Sequence, residues 1–353
     1  MTVPEGVLYV VTPYGRDGPS SRVRVYEWLD RISSPRVISG YLSHRNASAA
    51  FIARHPLAAV RAETQLRRML SARPGRLLLH REASPLSRGR IERRLVSGAG
   101  FAVYDLDDAL QWDWGHGGAL RRLAPKAPKA QLAASHADRV IAGSPVLADW
   151  ASTVNSDVVL IPSCVSLGAY AVKTDYRPAD PPRLGWIGSP DNERHLRLIA
   201  PALWEVHRRT GARITLIGTA MPSLGPLELL IDRVAWSEPA QRERLAAFDV
   251  GLAPLPDDAY SRGKCGYKLL QYAAAAVPAV GSPVGVNRAI LSQLGTPAPE
   301  NVGEWADAIM DLLGQPAGAR AALGARARRV VETSYCYDAW LPRWRQAVGL
   351  DGT

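Results

Sequence analysis

Cysteine is scarce in this chain: Cys164, Cys265 and Cys336 are three in 353 residues, odd in number and far apart. That excludes a disulfide framework, and no pair has metal-ligand spacing. Reduced or buried thiols are expected. Cys265, beside a predicted helix N-terminus, has the setting of a low-pKa thiol, although no Cys–His signature accompanies it. Lysine is scarce too, with five among 43 basic residues. No apolar run approaches a membrane span, and Val7–Val11 is too short for a signal-peptide core, so a cytoplasmic protein is expected. RNA-binding, zinc-finger and helix-turn-helix patterns are absent, and the net charge of +10 is mostly arginine spread along the chain. Nucleic acid is therefore not an expected partner, whereas small anionic ligands and peripheral attachment to an anionic membrane surface are permitted.

What is present is a normal globular balance, 47% hydrophobic and 22% charged, in a length that predicts two domains. Apolar runs that empty into polar, glycine-bearing loops recur in both halves, the pattern of parallel α/β sheets. Val7–Val11 leads into a Gly/Pro/Ser loop over 12–21, and then into a helix over 22–31 with Val25, Trp28, Leu29 and Ile32 on one face. Ser20 or Ser21 is the expected N-cap. Gly15 and Gly18 lack the dinucleotide-binding spacing. Further strands are predicted at 35–42, at 77–80 ending in His80-Arg81-Glu82, and at 101–104 ending in Asp105-Leu-Asp107-Asp108. An aromatic loop at 111–118 carries Trp112, Trp114 and His116. Pro125–Lys129 reads as a surface break, and 168–182, with three prolines, as a linker. The second half opens with a strand at 183–187, the turn Gly188-Ser189 and a helix at 193–210. Arg194 in that helix's first turn opposes the dipole unless an anion is near.

The organising stretch is 261–290. A polar loop opens an apolar helix over 267–276, Pro278 stops it, and a strand and a second small-residue loop follow. Loops at the carboxyl edge of a parallel sheet are where ligands bind, and helix N-termini attract phosphate. Two of the five lysines, Lys264 and Lys268, stand here. Solvated lysines and turn-forming glycines read equally well from spacing alone.

The run Lys264-Cys-Gly-Tyr-Lys268-Leu-Leu-Gln-Tyr, continuing through Val277-Pro-Ala-Val-Gly-Ser-Pro-Val-Gly285, resembles the donor-site signature of retaining glycosyltransferases of the GT-B fold, group 1 or family 4. Ser20-Ser-Arg22-Val-Arg24 after a loose loop is similar to their opening. The resemblance implies an α/β fold of two Rossmann-like domains facing each other across a cleft. Residues 1–165 with a returning C-terminal helix at 335–353 would hold the acceptor, and 166–334 the nucleotide-sugar donor. It implies transfer of a sugar from a nucleoside diphosphate with retention, without metal or other cofactor, the leaving phosphate helping to take the acceptor's proton. Lys264, Lys268 and then Arg194 would stabilise the leaving diphosphate. Gly188 and Ser189 would approach it by backbone, Trp236 would stack on the base, and Gly266, Tyr267 and Gln271 would complete the donor site. Arg22, Asp105, Asp107, Asp108 and His116 would face the acceptor. A core place for Trp236 and a solvated one for Arg22 are the plain alternatives. The family's usual Glu is Gln271 here, and a second acidic position is Gly263.

Two other readings stay open. Asp105-Leu-Asp107 has the Asp-x-Asp pattern of haloacid-dehalogenase-like phosphatases, which would use Asp105 as nucleophile and Asp107 as acid with Mg²⁺. A non-catalytic nucleotide-sugar-binding protein is the other, suggested by Gln271.

Overall fold

The computed structural model describes residues 7–42, 49–114, 119–218 and 224–350. The chain forms two compact units, 1–163 with 262–265 and 340–353, and 164–261 with 266–339. Each is built on one wholly parallel sheet.

In the first unit the strands are β1 (Leu8–Tyr14), β2 (Arg36–Leu42), β3 (Arg76–His80), β4 (Phe101–Leu106), β5 (Arg139–Ala142) and β6 (Val158–Leu160), in the order β2-β1-β3-β4-β5-β6. The register pairs Val10 with Ile38 and with Leu78, and His80 with Asp105. The strands are continuous apolar runs because helices cover both faces. After β1 the chain turns helical at Pro19–Ser21, earlier than expected, with proline at the first position. A π-helical turn, Arg22–Tyr26, follows, and then Glu27–Leu29. Trp28 stacks flat on Trp344 at 5.3 Å between ring centroids, both rings buried. Trp344 lies in the helix Tyr337–Ala347.

The second unit carries β7 (Arg183–Ile187), β8 (Arg213–Gly218), β9 (Ile231–Ala235), β10 (Val250–Ala253) and β11 (Ala279–Gly281), in the order β11-β10-β7-β8-β9. Alternation along the strands sorts the core. Leu184, Trp186, Ile214, Leu216, Val250 and Leu252 join one apolar cluster with Trp305 and Ile309. Ile187, Ile217 and Ala253 join the other, with Phe248, Leu269, Tyr272 and Ile290. Glycine is required on that second face, since a Cβ at Gly185 would lie 1.8 Å from Phe248 Cδ2 and one at Gly251 2.6 Å from Tyr272 Cδ2.

Three expectations change. Residues 335–339 group with the second unit, because Val165 N–H donates to the Tyr335 carbonyl at 2.9 Å and Val165 bridges Cys336. Residues 262–265 return to the first unit, where a Cβ at Gly263 would meet Ala109 Cβ at 2.6 Å and the Gly263 carbonyl accepts from Ser144 Oγ at 3.2 Å. Pro125–Lys129 is no surface break. The helix Lys126–His136 begins there, and buried Lys129 donates to Glu82 Oε2 at 2.6 Å and to the Ser84 carbonyl at 2.7 Å.

The Trp28–Trp344 stack ties the C-terminal helix down, so Trp344→Ala should cost about 3–5 kcal/mol. Urea unfolding measures it; a loss under about 1 kcal/mol would mean the stack carries little of the packing.

Candidate functional site

At the carboxyl edge of the first sheet, β1, β3 and β4 deliver Ser20, His80 and Asp105 to one another. Asp105 is buried, and Arg24 grips it from two sides, Nε donating to Oδ1 at 3.1 Å and Nη2 to Oδ2 at 2.6 Å. Arg24 Nη1 donates to the Ile161 carbonyl at 2.8 Å. Burial alone would raise the Asp105 carboxyl, but the charge of Arg24 and the hydrogen bond from His80 hold it below its usual range. An ionised carboxylate only accepts, so His80 Nδ1, 2.8 Å from Asp105 Oδ1, carries the hydrogen. Nε2 then faces Ser20 Oγ at 2.6 Å.

Asp107 and Asp108 form an outer tier. Arg81 Nε donates to Asp107 Oδ1 and Nη2 to Asp108 Oδ2, both at 2.5 Å. Arg81 sits at φ +59°, and its carbonyl accepts from the Tyr104 hydroxyl at 2.9 Å, a hold that sustains the left-handed backbone. Lys264 Nζ lies 3.4 Å from Asp108 Oδ1. For both outer carboxyls burial is the largest influence and upward. The net shift is downward, set for Asp107 first by Arg81 and for Asp108 first by Lys264.

The phosphatase reading loses its nucleophile here: Asp105 is 1% exposed, and both its oxygens are occupied by Arg24 and His80. The solvated place considered for Arg22 is also corrected, since Arg22 is 6% exposed within the π turn. So is the low-pKa thiol. Burial, then the nearby Asp107 charge, push Cys265 well above the ordinary thiol range, and its Sγ donates to the Asp107 carbonyl at 3.2 Å. His116 lies outside the described residues.

In the second unit Gly188 follows β7, and a Cβ there would meet Trp186 Cη2 at 2.7 Å and Lys268 Cε at 3.0 Å. Lys268 Nζ stands 5.0 Å from the Trp186 ring centre. Lys268 lies in the first turn of the helix Tyr267–Ala274, whose N-cap Gly266 has φ +67°. The left-handed backbone favours glycine at 266, where a Cβ would also press on Ile290 Cδ1 at 2.5 Å. Ser189 precedes a short helix, Pro190–Glu193, and its Oγ accepts from Asn192 Nδ2 at 2.8 Å instead of capping a backbone N–H. The helix expected over 193–210 divides into a 3₁₀ run, Arg194–Ile199, and Ala200–Thr210; Arg194 is exposed.

The remaining donor candidates meet on one residue that the sequence did not reveal. Tyr170 OH accepts from Gln241 Nε2 at 3.2 Å and from Gln271 Nε2 at 3.3 Å, and lies 3.5 Å from Tyr267 OH. Gln241 Oε1 in turn accepts from Trp236 Nε1 at 3.2 Å. Trp236 is half-buried. Tyr170 sits in the stretch read as a linker, which hid it. Thus Lys268 and Gly188 come together, Trp236, Tyr267 and Gln271 are strung together through Tyr170, and Lys264 joins the acidic residues of the first unit.

Residues 181–315 match the family model described as glycosyl transferases group 1. No curated protein sequence matches the chain. Among solved structures, Anabaena HepE in complex with UDP and glucose superposes with a TM-score of 0.65 at 12% identity over 97% of this chain and 99% of that one. WaaG, a glycosyltransferase involved in lipopolysaccharide biosynthesis, gives 0.64 at 14% identity over 98% and 100%. A variant of S. aureus TarM in complex with fondaparinux, α-GlcNAc-glycerol and UDP gives 0.59 at 12% identity over 80% of this chain, which spans 58% of TarM's length. The chain has the two-domain GT-B fold of these structures, and the match to glycosyl transferases group 1 covers residues 181–315, which lie in the second unit apart from 262–265.

The Arg24–Asp105 pair supports a pH prediction. Asp105 is depressed in the folded chain, so its contribution is full above the unfolded value of about 3.9 and is lost as pH falls through the folded one. Arg24→Leu leaves the carboxylate buried without its cation and should cost about 3–5 kcal/mol at neutral pH. The deficit should shrink toward about pH 4, as the freed carboxyl, its pKa now raised by burial, protonates. Urea unfolding at both pH values checks it, and equal deficits would contradict the assignment.

Proposed function

We propose that the protein is a glycosyltransferase that moves a sugar from a nucleoside-diphosphate sugar to an acceptor, with retention and without a metal ion. The observation that carries the reading is the Gly188–Lys268 juxtaposition after β7, inside the segment matched to glycosyl transferases group 1. A bare glycine lets a diphosphate approach the backbone, and an ammonium held beside it stabilises the charge that develops on the leaving oxygen. The N-terminus of the helix Tyr267–Ala274 adds the positive end of its dipole. Lys268 is the principal electrostatic residue, with Arg194 as an exposed cation that a bound diphosphate can recruit. Lys264, beside Asp108, acts with the acceptor-side carboxylates. Trp236, Tyr267 and Gln271, linked through Tyr170, hold the nucleoside. The acceptor meets the first unit at Arg22, Asp107 and Asp108, with Asp105 supporting from beneath. HepE and TarM are described with UDP, which makes a uridine donor the first to try.

The test is thermal unfolding with UDP-, GDP-, ADP- and TDP-sugars in EDTA. A donor at about 100 times its dissociation constant should add roughly 2.7 kcal/mol of stability. Lys268→Ala should keep the fold, lose most of that increment and lower turnover by about 100- to 1,000-fold. Turnover abolished by EDTA would rule out the metal-free mechanism. Binding with no turnover would favour a nucleotide-sugar-binding protein.

A further inference from the structure

Ser20 has one hydroxyl hydrogen and two acceptors in reach, His80 Nε2 at 2.6 Å and Asp107, whose oxygens lie at 2.9 and 3.1 Å. Behind it, His80 and Asp105 are buried, and Ser20 is partly exposed. A buried imidazole, oriented on one nitrogen by an ionised carboxylate, thus opens through a single hydroxyl at the carboxyl edge of the sheet. Such an arrangement moves protons. It does not suit a nucleophilic serine, because the oxyanion of an acyl intermediate would face the Asp107 carboxylate. A neutral hydroxyl that must lose a proton is favoured by the same neighbours.

We propose that Ser20, His80 and Asp105 form a proton relay for the acceptor hydroxyl of the sugar transfer, with Ser20 Oγ as the group that touches that hydroxyl. The inference rests on the transfer reading above. The acceptor oxygen bonds the anomeric carbon, whose bond to the diphosphate oxygen breaks, and that electron pair leaves with the diphosphate. The acceptor's proton passes to Ser20 Oγ while the serine's own proton passes to His80 Nε2. The imidazolium is held by Asp105 and Asp107, and afterwards returns the proton to water by the same route. His80 and Asp105 act through Ser20 and are positioning residues. The charged groups around the ring are Asp105 and Asp107, and behind these Arg24 and Arg81.

The probes are UDP-glucose, GDP-mannose, ADP-glucose and TDP-glucose, with glycerol and methyl β-glucoside as acceptors, and donor hydrolysis, in which water takes the acceptor's place, read in parallel. Ser20→Ala should bind the same donor as wild type by thermal shift, lower turnover about 100-fold and erase the acid limb of the kcat–pH profile. Ser20→Thr should recover most of the rate, and His80→Gln should behave as Ser20→Ala. If His80→Gln does not fold, the two serine variants decide. Turnover by Ser20→Ala within about threefold of wild type, with an unchanged profile, overturns the relay and leaves the transferase reading standing. A donor bound by wild type but neither transferred nor hydrolysed overturns the relay. Wild type that binds none of the four overturns both.

Discussion

One buried ion pair, Arg24 with Asp105, sets the geometry of the first unit's site. Two charges removed from water are tolerated only when each finds its full complement of partners. Arg24 spends its guanidinium on both carboxylate oxygens and on the Ile161 carbonyl just beyond β6. The pair therefore fastens the helical turn after β1 to the end of β4 and to the chain leaving β6. Once Asp105 is fixed and ionised, the hydrogen on His80 is fixed at Nδ1, and the ring presents its other nitrogen to Ser20. The π turn buries a second arginine beside Arg24. Residues two apart in an α-helix do not share a face. In the widened turn Arg22–Tyr26 both Arg22 and Arg24 are buried.

The second unit solves a different problem, that of placing polar groups near a sheet whose two faces are both apolar. Its strands carry large residues toward one cluster and glycines toward rings on the other. Phe248 and Tyr272, edge to face at 6.4 Å, sit directly on the backbone of β7 and β10. Polar chemistry is thereby confined to the strand ends and to side chains that complete one another, as Tyr170, Gln241, Gln271 and Trp236 do.

The strands and the glycine turns were legible because their signals are local: an apolar run, a change of period, a position where only glycine fits. GT-B architecture was legible from one stretch, 264–285. What escaped was partnership at long range. Lys129 looked like surface because it lies among prolines and alanines. Its partner Glu82 is 47 residues away, and only the fold shows that the lysine is buried. Asp105, Asp107 and Asp108 looked like one acidic cluster, but successive residues of a strand end point to different tiers. Asp105 goes under to Arg24, and the other two come up to Arg81. Tyr170 carried no signal at all, since nothing near it in sequence tells a linker tyrosine from one that accepts two amide hydrogen bonds.

The resemblance assigned Lys264 and Lys268 together to the leaving diphosphate, and the backbone between them sends them different ways. The helix begins only at Tyr267, and the left-handed Gly266 breaks the direction between them. Lys264 therefore goes with Asp108, and Lys268 with Gly188 and Trp186. Gln271 follows the same logic. A glutamate there would only accept hydrogen bonds, and Tyr170 would have to donate to it. The amide donates instead, so Tyr170 can take a second donor from Gln241. The departure from the glutamate usual in the resembled signature is thus matched by the residues around it, and the cluster is neutral at the point where a carboxylate would have made it acidic.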